Sequence, residues 1–376
     1  LKPGLLKLPI MIQSSCRSRG HAVSIALCAV IALPAYLLEG KWDAFVRKSN
    51  YQVGLQGRLL PIHHADLHRA RQPSRNLKKR CRANPPDLKP PEGFAPPEPK
   101  PLTVTRPDLL PALLGGSLAL LIRFLPVFVV GWRPGLASAE DTGKYRLPLG
   151  PINFRDGSLA TEGKLNRPAQ ALILYEYEGS PFCRKVREAL SMLDVSCEMR
   201  PCPGARSGFS RELAERTGRM TVPYLIDPNS GEEMFESDDI VDYLFDTYGP
   251  GKGEVPFSLK EPISTLTGSY ATMFRGLAGG KPDPAALPGN TGRRALELWG
   301  YDASPFVKVV REKLCALMLP HVMVPCARGS ANRDVMMSQT GVQFQVPFLR
   351  DANTGVEMFE AAEICEYLDA VYTTSS

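Results

Sequence analysis

Ala171–Leu190 reads ALILYEYEGSPFCRKVREAL, and Ala295–Leu314 reads ALELWGYDASPFVKVVREKL. The two stretches lie 124 residues apart and share Ala-Leu, a Tyr, Ser-Pro-Phe, Val-x0-Arg-Glu without a gap, and a closing Leu. At the same offset Val222-Pro223, Leu225 and Asp227 recur as Val346-Pro347, Leu349 and Asp351. Gly231, Glu233-Met234-Phe235-Glu236 and Ile240 recur as Gly355, Glu357-Met358-Phe359-Glu360 and Ile364. Agreement this long, in one order and at one spacing, marks an internal repeat.

Each copy predicts strand, helix, strand, helix, strand, strand, helix. Leu172–Leu174 is short and apolar, as a buried strand is. Ser180 stands at a helix N-cap, with Pro181 at the first helical position, where a missing N–H costs nothing. Phe182, Val186 and Leu190 then fall on one helical stripe. A second strand is expected near Val195–Met199 and a polar helix around Phe209–Arg216. Tyr224–Ile226 and Glu233–Phe235 read as a strand pair around the turn Asp227-Pro228-Asn229-Ser230-Gly231. A last helix from Ser237 carries Ile240, Leu244 and Tyr248 inward. Alternating elements closed by a hairpin predict an α/β fold, a mixed sheet covered by helices.

Both repeats resemble the thioredoxin-like N-terminal domain of glutathione S-transferases, over residues 171–249 and 295–373, and more distantly glutaredoxins and membrane-associated prostaglandin E synthase type 2. The arrangement looks like the tandem proteins of this kind in plant and algal chloroplasts. The resemblance implies a glutathione transferase-like protein with glutathione as substrate or ligand. It places Ser180 over the glutathione sulfur, where a hydroxyl and the positive end of a helix favour thiolate. It gives tripeptide binding to the backbone of Val222, shaped by a cis Pro223, and the γ-glutamyl end to Glu236 and Ser237. On the residues alone, Ser180 is explained as well by a helix cap as by a ligand, and Ser304 better by a cap; Pro223 and Pro347 are also explained as shaping the fold, and Ser237 as a cap.

The departures from that family set the alternatives. The exposed first position of a redox motif holds Ser180 in place of cysteine, and Cys183 lies one turn inside the helix. A thiol–disulfide oxidoreductase working through Cys183 is therefore disfavoured. The second copy has Val307 for Cys183 and Ala361 for Ser237, so its site is expected to be degenerate. Only residues 249–294 separate the copies, room for one helix near Ile263–Leu277 but not for the helical domain that completes a transferase's electrophile pocket. A non-catalytic, membrane-tethered interaction module is the competing reading.

Outside the repeats the chain changes character. Of 376 residues 22% are charged, with a net charge of +6, yet residues 1–90 hold 7 Lys and 9 Arg against 4 acids. That net of +12 on a mildly acidic remainder resembles targeting, and no nucleic-acid-binding signature accompanies it. Residues 1–82 are expected to be a disordered leader. An Arg-rich, acid-poor transit peptide fits them, and so does a secretory signal around the apolar run Ala22–Leu38. The chain opens on Leu1 in place of Met, as a fragment or over-extended translation would. Residues 83–108 are a Pro-rich extended spacer.

Residues 109–132 are expected to form an apolar, membrane-associated helix. Twenty-two residues from Leu109 to Val130 would reach about 33 Å, with Arg123 snorkelling to a surface; a buried or interfacial helix is the other reading. Residues 133–170 and 250–294 read as linkers. The nine cysteines contain no C-x-x-C pair and four of five histidines precede residue 70, so no structural zinc site is expected. Chloroplast localisation with membrane association is the expectation that follows.

Overall fold

Two four-stranded sheets, one from each repeat, join edge to edge into a single eight-stranded sheet. The computed structural model describes residues 88–100, 110–123, 132–136, 146–149, 152–162 and 165–374, apart from 205–206, 328 and 343–344. All of these belong to one unit, Arg80–Ser376. The expected leader lies outside the described residues.

Repeat 1 runs β4 (Leu172–Glu176), α2 (Pro181–Met192), β5 (Cys197–Pro201), α3 (Gly208–Thr217), β6 (Tyr224–Ile226), β7 (Glu233–Met234) and α4 (Ser237–Tyr248). Repeat 2 runs β8 (Leu296–Gly300), α6 (Pro305–Ala316), β9 (His321–Pro325), α7 (Ala331–Thr340), β10 (Phe348–Asp351), β11 (Val356–Phe359) and α8 (Ala361–Tyr372). Both have the element order the sequence predicts. The strand order is β11-β10-β8-β9-β5-β4-β6-β7. Within each repeat the first two strands are parallel and the hairpin antiparallel.

The join is the antiparallel pair β5–β9, with Cys197 opposite Met323, Glu198 opposite Val322 and Met199 opposite His321. Since Val322 is the counterpart of Glu198 at the 124-residue offset, a pseudo-two-fold axis passes between these two residues. The join removes two edges that would otherwise offer unpaired backbone groups. One apolar core runs through both repeats, from Leu172, Val186 and Leu244 to Leu296, Val310 and Leu368.

Charge is buried on the same axis. Arg187 pairs with Glu176, Glu178 and Asp302, while Arg311 pairs with Asp302 and Glu178. Glu178 and Asp302 are counterparts, as are Arg187 and Arg311, so each arginine bridges both repeats. Lys308 adds a 2.7 Å contact to Glu178. Burial disfavours the Glu178 carboxylate, but Arg187, Arg311 and Lys308 outweigh it and hold its pKa well below the usual range.

A helix upstream of the repeats completes this layer, and its described residues are fewer than a membrane span needs. α1 covers Leu110–Ile122, thirteen residues, or about 20 Å at 1.5 Å per residue against a hydrocarbon core of about 30 Å. No described helix is long and apolar enough to cross a membrane. Arg123, expected to snorkel, is buried. It makes a bidentate pair with Glu188 and donates to the Ser258 carbonyl at 3.1 Å.

Between the repeats, α5 (Ile263–Phe274) forms where one helix was expected, and it repeats the design of α1. The sequence Gly116-Ser117-x-Ala119-x3-Arg123-x-Leu125 recurs as Gly268-Ser269-x-Ala271-x3-Arg275-x-Leu277, 152 residues later. A Cβ on Gly116 would meet the Pro305 Cβ at 3.1 Å, and one on Gly268 the Pro181 Cβ at 3.2 Å. Arg275 pairs with Glu312 as Arg123 does with Glu188. α1 and α5 therefore pack on each other and across the start of α6 and α2.

The stretch 133–170, read as a linker, contains strands. β1 (Trp132–Leu136), β2 (Arg146–Leu149) and β3 (Ile152–Ser158) make a separate antiparallel sheet of order β1-β3-β2. Residues 88–100 run without helix or strand, and proline, which lacks a backbone N–H, suits such a path.

Candidate functional site

The residues singled out in repeat 1 gather at the ends of β4, α2, β6 and α4. Ser180 is the N-cap of α2, and its hydroxyl accepts from the Cys183 N–H at 3.2 Å. It also meets the Tyr177 phenol. Ser304 caps α6 in the same way, accepting from the Val307 N–H. Both serines are buried.

What covers Ser180 comes from the far side of α5. Pro181 touches Gly268, and Gly280 lies so close that a Cβ on Gly179 would be 3.5 Å from its Cα. Gly279 has φ +71, and a Cβ there would come within 2.9 Å of the Glu178 Cβ. The Gly279 carbonyl accepts from the Cys315 thiol at 3.1 Å. The cover lies about 100 residues downstream, so no local pattern reveals it.

Cys183 is wholly buried, and burial, reinforced by the Glu176 carboxylate, pushes its thiol up to about 12. Such a thiol carries almost no thiolate at neutral pH. All six cysteines among the described residues are free, and burial raises every one. The oxidoreductase alternative thus lacks a nucleophile there. No group of His, Cys, Asp and Glu among the described residues could hold a metal.

The Val222–Pro223 and Val346–Pro347 bonds are both cis. Beyond each lies a buried aspartate that fixes the hairpin. Asp227 accepts from the hydroxyls of Tyr243 and Tyr248 and from the Asn229 N–H, and these bonds outweigh burial to lower its pKa. Asp351 accepts from Tyr367, Tyr372 and Asn353 in the same pattern.

At the start of the last helix the two repeats part company. Glu236 (φ 64) and Glu360 (φ 74) both occupy the left-handed region. A glutamate gains nothing intrinsic from that conformation, and such backbone clusters at ligand clamps and switches. In repeat 2 the Glu360 carboxylate is taken up by the protein itself. It accepts from Gln345 Nε2 at 2.6 Å and from the Lys100 backbone N–H at 2.7 Å. Phe94 of the same extended stretch packs on Tyr367, ring centroids 5.3 Å apart.

In repeat 1 the counterpart of Gln345 is Thr221, which is exposed and makes no such bond. Among the described residues nothing hydrogen-bonds to the Glu236 carboxylate or the Ser237 hydroxyl. Ser237 is the first residue of α4, whose leading N–H groups have no intrahelical acceptors. Nearby, the Arg219 guanidinium lies 5.5 Å from the Phe235 ring centroid. Sequence reading missed both Arg219 and the Gln345 plug. The exchange of Thr221 for Gln345 beside each Val-Pro pair was the available signal.

Two stretches of the chain, residues 174–253 and 298–376, match the family model described as "Glutathione S-transferase, N-terminal domain". The comparison with curated proteins gave no match. Among solved structures, "Leishmania TDR1 - a unique trimeric glutathione transferase" is similar at 16% identity over 55% of this chain and 68% of that one. Its TM-score is 0.22. The two matched stretches coincide with the two repeats, so each repeat is similar to the glutathione S-transferase N-terminal domain, in tandem.

Proposed function

We propose that repeat 1 binds glutathione and acts as the transferase-like half of the molecule, with repeat 2 as its scaffold. The contrast at the last helix carries this reading. Glu236 and Ser237 stand unengaged at a helix N-terminus, while the equivalent Glu360 is filled by Gln345 and Lys100 and the serine is replaced by Ala361.

In this reading the free N–H groups of α4 and the Ser237 hydroxyl take the γ-glutamyl carboxylate, and Glu236 takes the amino group. The backbone at Val222 pairs with the tripeptide, and Arg219 supplies a cation for a ligand carboxylate. At the other end, the Ser180 hydroxyl and the N-terminus of α2 stabilise the thiolate. Movement of the loop around Gly279 admits the sulfur.

Titration of the whole chain with glutathione, followed by thermal stability or chemical shifts, tests this. Ser237→Ala is expected to weaken binding about tenfold, as for a lost hydrogen bond to a charged group. Ser180→Ala is expected to raise the thiol pKa of bound glutathione with a smaller effect on affinity. Absence of saturable binding at millimolar glutathione would end the proposal.

A further inference from the structure

The Pro-rich stretch 88–100 lies on repeat 2, touching α8 at two points. The Phe94 ring packs on Tyr367, and the Lys100 backbone N–H donates to the Glu360 carboxylate. Past a turn at Pro91–Phe94, where the Phe94 N–H donates to the Pro91 carbonyl, the stretch is extended. Phe94 and Pro97 are half-buried, while Ala95, Pro96 and Glu98 are exposed. A spacing of three is that of a polyproline helix laid down on one side.

Repeat 1 keeps both contact points and, among the described residues, has no such segment over them. The Tyr243 hydroxyl is held by Asp227 as that of Tyr367 is by Asp351, and Glu236 shares the left-handed backbone of Glu360. Tyr367 is 1% exposed, whereas Tyr243 is only half-buried. Glu236, Asp239, Tyr243 and Asp246 fall on one stripe of α4, at i, i+3, i+7 and i+10, with Asp242 on its flank. Asp239 and Asp242 are exposed and unpaired among the described residues. Where α4 has Asp246, α8 has Ala370, so the uncovered face is the more acidic of the two.

We propose that this face of α4 binds an extended, proline-rich segment of a basic partner protein. The segment sets an apolar ring on Tyr243 and a backbone N–H at Glu236, as Phe94 and Lys100 do on repeat 2. Such segments lose little freedom on docking, and aromatic rings read them. Charge selects the partner. Residues 88–100 hold two lysines and two glutamates, a neutral segment on the less acidic face, whereas Glu236, Asp239 and Asp242 favour lysine or arginine. A second copy of this chain fits less well. Its own stretch is neutral, and Leu88 and Phe94 already pack it against the core beneath repeat 2.

The probe is a fluorescent peptide of residues 88–100, LKPPEGFAPPEPK, carrying Glu92→Lys and Glu98→Lys, titrated with the full chain and followed by anisotropy. Saturable binding that weakens as salt rises is expected. The peptide without the two lysine changes should bind about fivefold more weakly, and Phe94→Ala in the peptide should cost about tenfold. In the protein, Asp239→Asn/Asp242→Asn should cost about fivefold with an unchanged melting temperature. No saturable binding in the millimolar range would overturn the proposal. Binding that ignores the double asparagine variant would do so too, by placing the peptide elsewhere, the repeat 2 face included. A dimer by light scattering that this variant dissolves would give the face to a second copy. The titration contains no glutathione, and Asp239 and Asp242 stand outside the residues assigned to it, so neither reading falls with the other.

Discussion

His321 stands where the two sheets meet, and its counterpart in repeat 1 is Cys197. Its ring is wholly buried, with Nδ1 3.1 Å from the Leu319 carbonyl and Nε2 unpartnered among the described residues. Burial holds the imidazole down to about 4, only partly offset by the Leu319 carbonyl. The folded protein keeps it neutral, while the unfolded chain takes up a proton near pH 6.5. Stability contributed by this residue is therefore full above 6.5 and falls as the pH drops toward 4. At pH 5 the loss is about 2 kcal/mol. His321→Cys, copying repeat 1, should flatten this dependence relative to wild type in urea midpoints taken at pH 7 and pH 5. An unchanged difference between the two midpoints would refute it. At this scale the caps were legible, because Ser-Pro at a helix start is a local signal. The burial of Ser180 was not, because it depends on Gly279 and Gly280, placed by α5.

Among elements, the docking of α1 and α5 through glycine was the least legible feature. The shared residues are five in ten positions, and their offset of 152 differs from the 124 of the domains, so a single-period search passes over them. Apolar composition favoured a membrane helix, but a helix that is hydrophobic all round suits a packed layer equally. Strands β1 to β3 were hidden by Pro134, Gly135 and Pro148, which read as loop chemistry. The glycine contacts give a direct test. Gly268→Val places methyl groups against Pro181, where even a bare Cβ would lie only 3.2 Å from the Pro181 Cβ. Overpacking there should cost about 1–3 kcal/mol, and it should loosen the cover over Ser180. Amide exchange at Cys183 and Arg184 is expected to quicken more than at Val307 and Lys308. Equal change in both helices would count against a local effect.

For the molecule as a whole, one sheet, one core and one ionic cluster bind the repeats together. Removing one side of a buried pair leaves the rest uncompensated, so Arg187→Met is expected to cost about 3–5 kcal/mol. That loss should lower one shared transition, not split it. Calorimetry of the wild type should show one peak, because neither repeat can melt without exposing β5 or β9 and the charges between them. Two peaks well separated in temperature would show that the repeats are independent. The tandem architecture was legible from Ser-Pro-Phe and Val-Pro, whereas the edge-to-edge join was not, since nothing in Cys197–Pro201 announces its partner strand. The axis through Glu198 and Val322 has a further consequence. When two identical chains face each other, every substitution is made twice and both sites drift in step. Fused into one polypeptide, each half can change alone, and one glutamate can be tied down by a glutamine while its counterpart keeps its carboxylate free.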